Sequence, residues 1–342
     1  MLFIKSLFLT ASFVCVLCEN KDGGKAPRLP LNDGNSIPAL GLGTFLGFDE
    51  HGQKEVKDGE VELPVTLALN AGYRLFDTAQ AYKNEHQVGK AVRESSVPRE
   101  DVYIVTKLAS NKQDKPVGSL FESLKEMNLS YVDLYLIHNP VAFTPDEKAY
   151  AIIDYKRTWK GMEVAKNNGL ARSIGVSNFN ISQLERLMEH SEIKPAVLQV
   201  EVNLNLAQDK LLEFCKEHDI VVMAYTPFGG LFDKTTESPP PRADDPELVK
   251  IAEKYKKSTP QVVLKYLVQR GVVPIPKSIR KEKIEENINI FDFELTPEEM
   301  TTLSKFNKDY RTVNPSFWQD HPYYPFEKTD TPAPDPFKRN KE

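Results

Sequence analysis

The chain has 342 residues, 40% of them hydrophobic and 27% charged, with a formal net charge of −5. That length and apolar content supply the core of two average domains or of one large α/β barrel, and they exclude a mostly disordered chain. The acidic balance disfavours generic binding to nucleic acid.

The first segment, "MLFIKSLFLTASFVCVLC", carries one lysine, Lys5, followed by an uncharged apolar stretch from Ser6 to Cys18 and then by polar Glu19, Asn20, Lys21 and Asp22. This pattern predicts a secretory signal peptide over residues 1–18, cut after Cys18, and hence a secreted protein. Its apolar stretch is shorter than the roughly 20 residues that span a bilayer, so no membrane association is expected once it is removed. The mature chain, residues 19–342, is read as a single domain, and it keeps only Cys215 of the three cysteines. No internal disulfide is then available, so stability must come from packing. Cys215 follows Leu211 by four residues on a helical face and reads as core. The sequons at Asn128 and Asn180 gain meaning in the secretory pathway.

"LPLNDGNSIPAL" places apolar segments on either side of Asn32, Asp33 and Gly34 and predicts an N-terminal β-hairpin. Eight β-rich runs follow: "LGLGT", "RLFDT", "VYIVTK", "VDLYLIH", "ARSIGVSN", "AVLQVEVN", "IVVMAYT" and "VVPIPK". Helical patterns separate them. Leu120, Leu124 and Met127 share one face, and Leu248, Ile251, Ala252 and Tyr255 share another. Asn84 with Gln87 reads as a cap and its third helical position, Asp245 precedes Pro246, Thr259 precedes Pro260, and Gly271 closes the helix that follows. An extra helix, "TPEEMTTLSKF", opens with a Thr296–Glu299 capping box and leads into a long C-terminal loop ending in the proline-rich "TDTPAPDPF".

Alternating strands and helices fit either a closed barrel or an open doubly wound sheet. Asp77, Lys107, His138, Ser177 with Asn178, Tyr225 and Lys277 lie at the carboxyl ends of six different runs, and Gln199 lies within another. In a barrel those ends converge on one face, whereas in an open sheet the edges stay apart. The expected fold is therefore a (β/α)8 TIM barrel.

Such a barrel brings together Asp77, Tyr82, Lys107 and His138. Singly, each has an ordinary explanation: a strand-end cap, a loop aromatic, a surface charge, a core histidine. Together they suit carbonyl reduction. A carboxylate keeps Lys107 charged, the ammonium lowers the Tyr82 phenol below its usual value of about 10, and His138 orients the carbonyl.

"GLGT", "DTAQAYKNE", "VTKL", "DLYLIHNP", "IGVSNF", "AYTPFG" and "IPKS" resemble, in order, the aldo-keto reductase family from about Leu29 to Phe326. The resemblance implies direct hydride transfer from NADPH to a small-molecule carbonyl, Tyr82 as proton donor with Asp77, Lys107 and His138, a monomer, and no metal. It implies that Ser177, Asn178 and Gln199 hold the nicotinamide amide and that Tyr225 stacks on its ring. Lys277 and Ser278 resemble the adenosine phosphate site, with Glu286 and Asn287 on the adenine side. Lys283 stands where many relatives carry arginine, and with Lys277 and Arg280 it makes a positive cluster suited to a 2′-phosphate. "GLGTFLG" misses the dinucleotide-fold glycine spacing.

Ala109 and Asn139 stand where aldose-reductase-like members often have tryptophan, which predicts a wide substrate pocket. Phe45 and the tail aromatics Phe317, Trp318, Tyr323 and Tyr324 either line its walls or pin the tail. The leader, the wide pocket and a likeness to secreted insect 3-dehydroecdysone 3β-reductases point to a bulky ketone such as an ecdysteroid, reduced to the 3β-hydroxy product. A general aldehyde or aldose reductase and a non-catalytic cofactor-binding barrel are the other readings.

Overall fold

The apolar runs become strands in a computed structural model that describes residues 23–49, 52–235 and 237–333. The expected leader, residues 1–18, lies outside the described residues. β1 (Arg28–Pro30) and β2 (Ser36–Pro38) form the antiparallel hairpin, with Gly34 in its turn at φ +85°. Then come β3 (Leu42–Gly43), a second short hairpin of β4 (Phe48–Asp49) and β5 (Gly52–Gln53), α1 (Glu62–Ala71), β6 (Leu75–Asp77) and α2 (Glu85–Glu94). β7 (Tyr103–Leu108), α3 (Pro116–Met127) and β8 (Val132–Ile137) follow, and after them a small hairpin of β9 (Ala142–Phe143) and β10 (Tyr150–Ala151). The chain continues through α4 (Tyr155–Asn167), β11 (Ala171–Ser177), α5 (Ile181–Met188), β12 (Val197–Glu201), α6 (Asp209–Glu217) and β13 (Val221–Tyr225). It ends with α7 (Pro246–Tyr255), α8 (Thr259–Gln269), β14 (Val272–Pro274), α9 (Lys281–Ile288) and α10 (Pro297–Ser304).

Eight parallel strands pair in the order β14-β13-β12-β11-β8-β7-β6-β3. Gly41 N–H donates to Pro274 O and Gly43 N–H to Pro276 O, both at 3.1 Å, so backbone bonds join the last strand to the first. A Cβ on Gly43 would lie 2.8 Å from Ile275 O, closer than real contacts come, so glycine lets the two strands meet. This is the expected (β/α)8 architecture.

Side chains alternate across each strand. Leu75, Val105, Leu134, Leu136, Val197, Met223 and Val273 fill the barrel, and Leu31 and Ile37 of the N-terminal hairpin cover its amino end. Phe76, Ile104, Tyr135, Ile174, Leu198 and Val222 pack outward under the helices. Burying a Leu or Val contributes about 1.5–3 kcal/mol over leaving it exposed. These contacts serve in place of covalent crosslinks, since Cys215 is free and buried beside Leu211 on α6.

Helix starts follow the sequence with two corrections. Asp245 accepts from Glu247 N–H, and Thr296 with Glu299 forms the expected box. α8 is capped one residue earlier than expected, by Ser258 with Gln261, because the serine is extended and Thr259 is already helical. Asn84 makes no side-chain cap on α2; its amide is bonded to Thr44 and Thr78 instead. Beyond α10, Thr312 and Val313 N–H both donate at 2.8 Å to the fully buried carboxylate of Glu201 at the end of β12, which fixes the tail over the carboxyl ends of the strands.

Candidate active site

Lys107, on β7, is 0% exposed, and all three of its ammonium protons find oxygen. It donates to Asp77 Oδ1 at 2.6 Å, to Thr78 O at 2.9 Å and to the Tyr82 hydroxyl at 3.2 Å. The other Asp77 oxygen accepts from Gln199 Nε2 at 2.7 Å. Parallel pairing of β6 with β7 sets Asp77 opposite Val105, two residues before the lysine.

Tyr82 ends the short turn after β6. Thr78 Oγ1 donates to Asn84 Oδ1 at 2.6 Å, Asn84 Nδ2 donates to Thr44 O at 2.9 Å, and Thr44 Oγ1 donates to Asp77 O at 2.9 Å. This bracing is invisible in the sequence because Asn84 occupies a helix-capping position, where the pattern predicts a cap. The Tyr82 ring lies 4.9 Å from Phe45 and, edge-on, 5.6 Å from His138, so the four expected residues come together at the carboxyl end of the barrel.

One electrostatic expectation is overturned. Burial, seconded by the Asp77 carboxylate, pushes the Tyr82 phenol well above its ordinary value rather than below it. The phenol therefore keeps its proton at neutral pH. Burial pulls the Lys107 ammonium down, opposed by its pair with Asp77. Burial and then the Lys107 charge lower His138 to about 3, so its imidazole is neutral.

Ser177 and Gln199 are direct partners in the pairing of β11 with β12, and both are 1% exposed. Among the described residues, the Ser177 hydroxyl and Gln199 Oε1 have no hydrogen-bond partner. Next to them Asn178, at φ +62°, donates to His138 O at 3.0 Å and accepts from the Tyr225 hydroxyl at 2.8 Å. On the far side Lys277 and Ser278 line a crevice with Gly43 and Thr44. Lys277 makes no ion pair among the described residues. Asn287 on α9 is 3% exposed, and its side-chain amide has no partner among them either. Lys283, by contrast, is matched by Glu286 at 2.6 Å, and Glu286 also accepts from Ser258. The positive cluster thus presents Lys277 and Arg280 more freely than Lys283.

Ala109 and Asn139 follow β7 and β8. Asn139 Oδ1 accepts from Asn178 Nδ2 at 2.8 Å, while its own Nδ2 donates to Ser110 Oγ at 3.4 Å. Trp318 packs edge-on against Phe143 and Phe317, each with ring centres 5.2 Å apart. Tyr150 donates to Phe317 O at 2.6 Å. Phe143 and Tyr150 were missed in the sequence, where two-residue strands leave no periodicity. Tyr323 packs 5.1 Å from Tyr155 and so pins the tail against α4, while the buried Tyr324 donates to Asn314 within the tail itself. Among the described residues no group of three or more His, Cys, Asp or Glu side chains is placed to hold a metal, and no helix is long and apolar enough to cross a membrane.

A model of the aldo/keto reductase family matches residues 39–308. Aldo-keto reductase AKR2E4 of Bombyx mori is 46% identical, covering 88% of this chain and 99% of the relative; its structure in complex with NADP superposes with a TM-score of 0.84. The structure of aldo-keto reductase AKR2E5 complexed with NADPH is 39% identical, with a TM-score of 0.86, over 92% of this chain and 98% of that one. The 3-alpha-hydroxysteroid dehydrogenase of Rattus norvegicus is 40% identical over 87% of this chain and 97% of its own. The chain belongs to the aldo/keto reductase family.

A neutral His138 has a spectroscopic consequence. Its imidazole proton resonances, assigned by their loss in His138→Asn, should not titrate between pH 5 and 8, because the folded ring binds its proton only near pH 3. A midpoint between 6 and 7 would contradict the buried, lysine-facing ring.

Proposed function

We propose that this chain reduces a bulky, ring-fused ketone, such as an ecdysteroid 3-ketone to its 3β-alcohol, with NADPH. The coarser activity is plain: it is an NADP-dependent oxidoreductase that converts a carbonyl to an alcohol. The residues present fit the cofactor. Ser177 and Gln199 offer uncommitted polar atoms side by side, as a carboxamide needs, and Tyr225 offers an aromatic face beside them. Lys277 and Asn287 offer an unmatched cation and an unmatched amide for the phosphate and adenine end. Bound there, NADPH supplies the hydride.

The chain's own residues handle the proton. Neutral His138 donates a hydrogen bond to the substrate oxygen. Tyr82 holds its proton until that oxygen becomes an alkoxide, which is basic enough to take it even from a raised phenol. Lys107, 3.2 Å from the phenol oxygen, stabilises the phenolate left behind, and Asp77 keeps Lys107 charged and in place. The observation that carries this reading is a fully buried lysine, Lys107, bonded to both Asp77 and Tyr82.

The bulky-ketone reading is supported by Ala109 and Asn139 at the pocket and by relatives that include a 3-alpha-hydroxysteroid dehydrogenase and an insect reductase. In assays with a steroid ketone and a small aldehyde, Ala109→Trp should lower kcat/KM for the steroid about tenfold or more and spare the aldehyde. Tyr82→Phe should lower both, by roughly two to four orders of magnitude. A wild type that turns over only the aldehyde is a general aldehyde reductase, and one that reduces neither is a binding barrel. Asn139 is left intact in this test because it also bonds Asn178.

If Lys277 meets the 2′-phosphate, Lys277→Met should weaken NADPH roughly ten- to hundredfold, the range of a hydrogen bond to a charged group, and weaken NADH little. Equal losses for both nucleotides, read by equilibrium titration, would remove the basis for that contact.

The protein is also proposed to be secreted, on the strength of the short apolar leader after Lys5. Full-length chain expressed in insect cells should appear in the medium with Glu19 at its N-terminus. Retention inside the cell with residues 1–18 attached would overturn this.

A further inference from the structure

Asn139 stands beyond the four central residues, on the loop after β8, yet it sits in the middle of a hydrogen-bonded row. The row runs from Ser110 Oγ to Asn139 Nδ2 at 3.4 Å, from Asn139 Oδ1 to Asn178 Nδ2 at 2.8 Å, and from Asn178 Oδ1 to the Tyr225 hydroxyl at 2.8 Å. Gln113 Nε2 holds the Asn139 backbone carbonyl at 2.8 Å, so the residue is fixed at both its main chain and its side chain.

The row has a direction. Asn178 Nδ2 meets two acceptors, His138 O and Asn139 Oδ1, and a rotated Asn178 amide would set its oxygen against both. The Asn178 oxygen is thereby turned to Tyr225, with a second lone pair left to accept. With an apolar side chain at 139, only His138 O would still select the orientation, and Asn178, already at φ +62°, would lose one of the three hydrogen bonds that fix its amide.

We infer that Asn139 is a positioning residue that sets the orientation of the Asn178 amide, and so tunes affinity for the nicotinamide end of the cofactor from the substrate side of the pocket. This rests on the reading that Asn178 holds the nicotinamide carboxamide. An amide held in one orientation loses no freedom when the ligand arrives, so the effect falls on binding at that end alone.

The test compares wild type, Asn139→Leu and Asn139→Asp, using NADPH and 2′-phospho-ADP-ribose, which lacks the nicotinamide, with binding read by tryptophan fluorescence. Asn139→Leu should weaken NADPH about tenfold and change 2′-phospho-ADP-ribose by less than about twofold. Asn139→Asp keeps an acceptor for Asn178 Nδ2 and should recover NADPH affinity to within about threefold of wild type. Unchanged NADPH binding in Asn139→Leu overturns the inference. So does equal loss of both ligands, which would mark general damage, or an aspartate variant no better than the leucine. Wild-type turnover of a ketone is measured separately: its absence would sink the proposed activity, whereas a flat binding series with normal turnover would sink only the role of Asn139.

Discussion

The ion pair between Lys107 and Asp77, 2.6 Å long and shut away from water, is the constraint around which the carboxyl face of this barrel is arranged. Taking two charges out of water costs several kcal/mol each, and an apolar pair of similar volume often serves stability as well or better. The pair persists here with every remaining valence answered, by Thr78 O and Tyr82 on the lysine and by Gln199 on the aspartate. Losing either partner would strand a buried charge, which typically costs about 3–5 kcal/mol. The lysine's third contact sets its fixed positive charge 3.2 Å from the Tyr82 hydroxyl.

From that pair, two tiers of polar contacts extend across the top of the barrel. Thr44, Thr78 and Asn84 brace the turn that carries Tyr82, and Gln199 joins Asp77 to the strand pair that also bears Ser177. The strand junction at Gly43 lies beside Lys277, so that lysine follows directly on the peptides that close the sheet.

Much of this was legible in the chain. Buried parallel strands are apolar on both faces, so each shows as a short hydrophobic run, and the polar residue ending it marks the barrel mouth. Residues whose side chains do two things were harder. Asn84 satisfies the pattern of a helix cap while its amide is used elsewhere, and Gln199 reads as a partner for a carboxamide while its nitrogen holds Asp77. The direction of the Tyr82 shift was missed because Lys107 is visible in sequence and burial is not. Phe143 and Tyr150 lay in strands too short to carry a period, and their roles emerge only where the tail crosses them.

That crossing divides labour along the polypeptide. The Lys107 cluster lies on and just beyond strands in the first half of the barrel, whereas the β9–β10 hairpin meets the tail near Phe317, Trp318 and His321, more than a hundred residues away, through ring packing, the Tyr150 hydroxyl bond to Phe317 O and the His321 bond to Ala151 O. Changes confined to either segment alter that packing without touching the lysine, the aspartate or the phenol. Sequence drift in the hairpin and the tail is thereby decoupled from the buried pair, since among the described residues neither segment gives it a hydrogen bond.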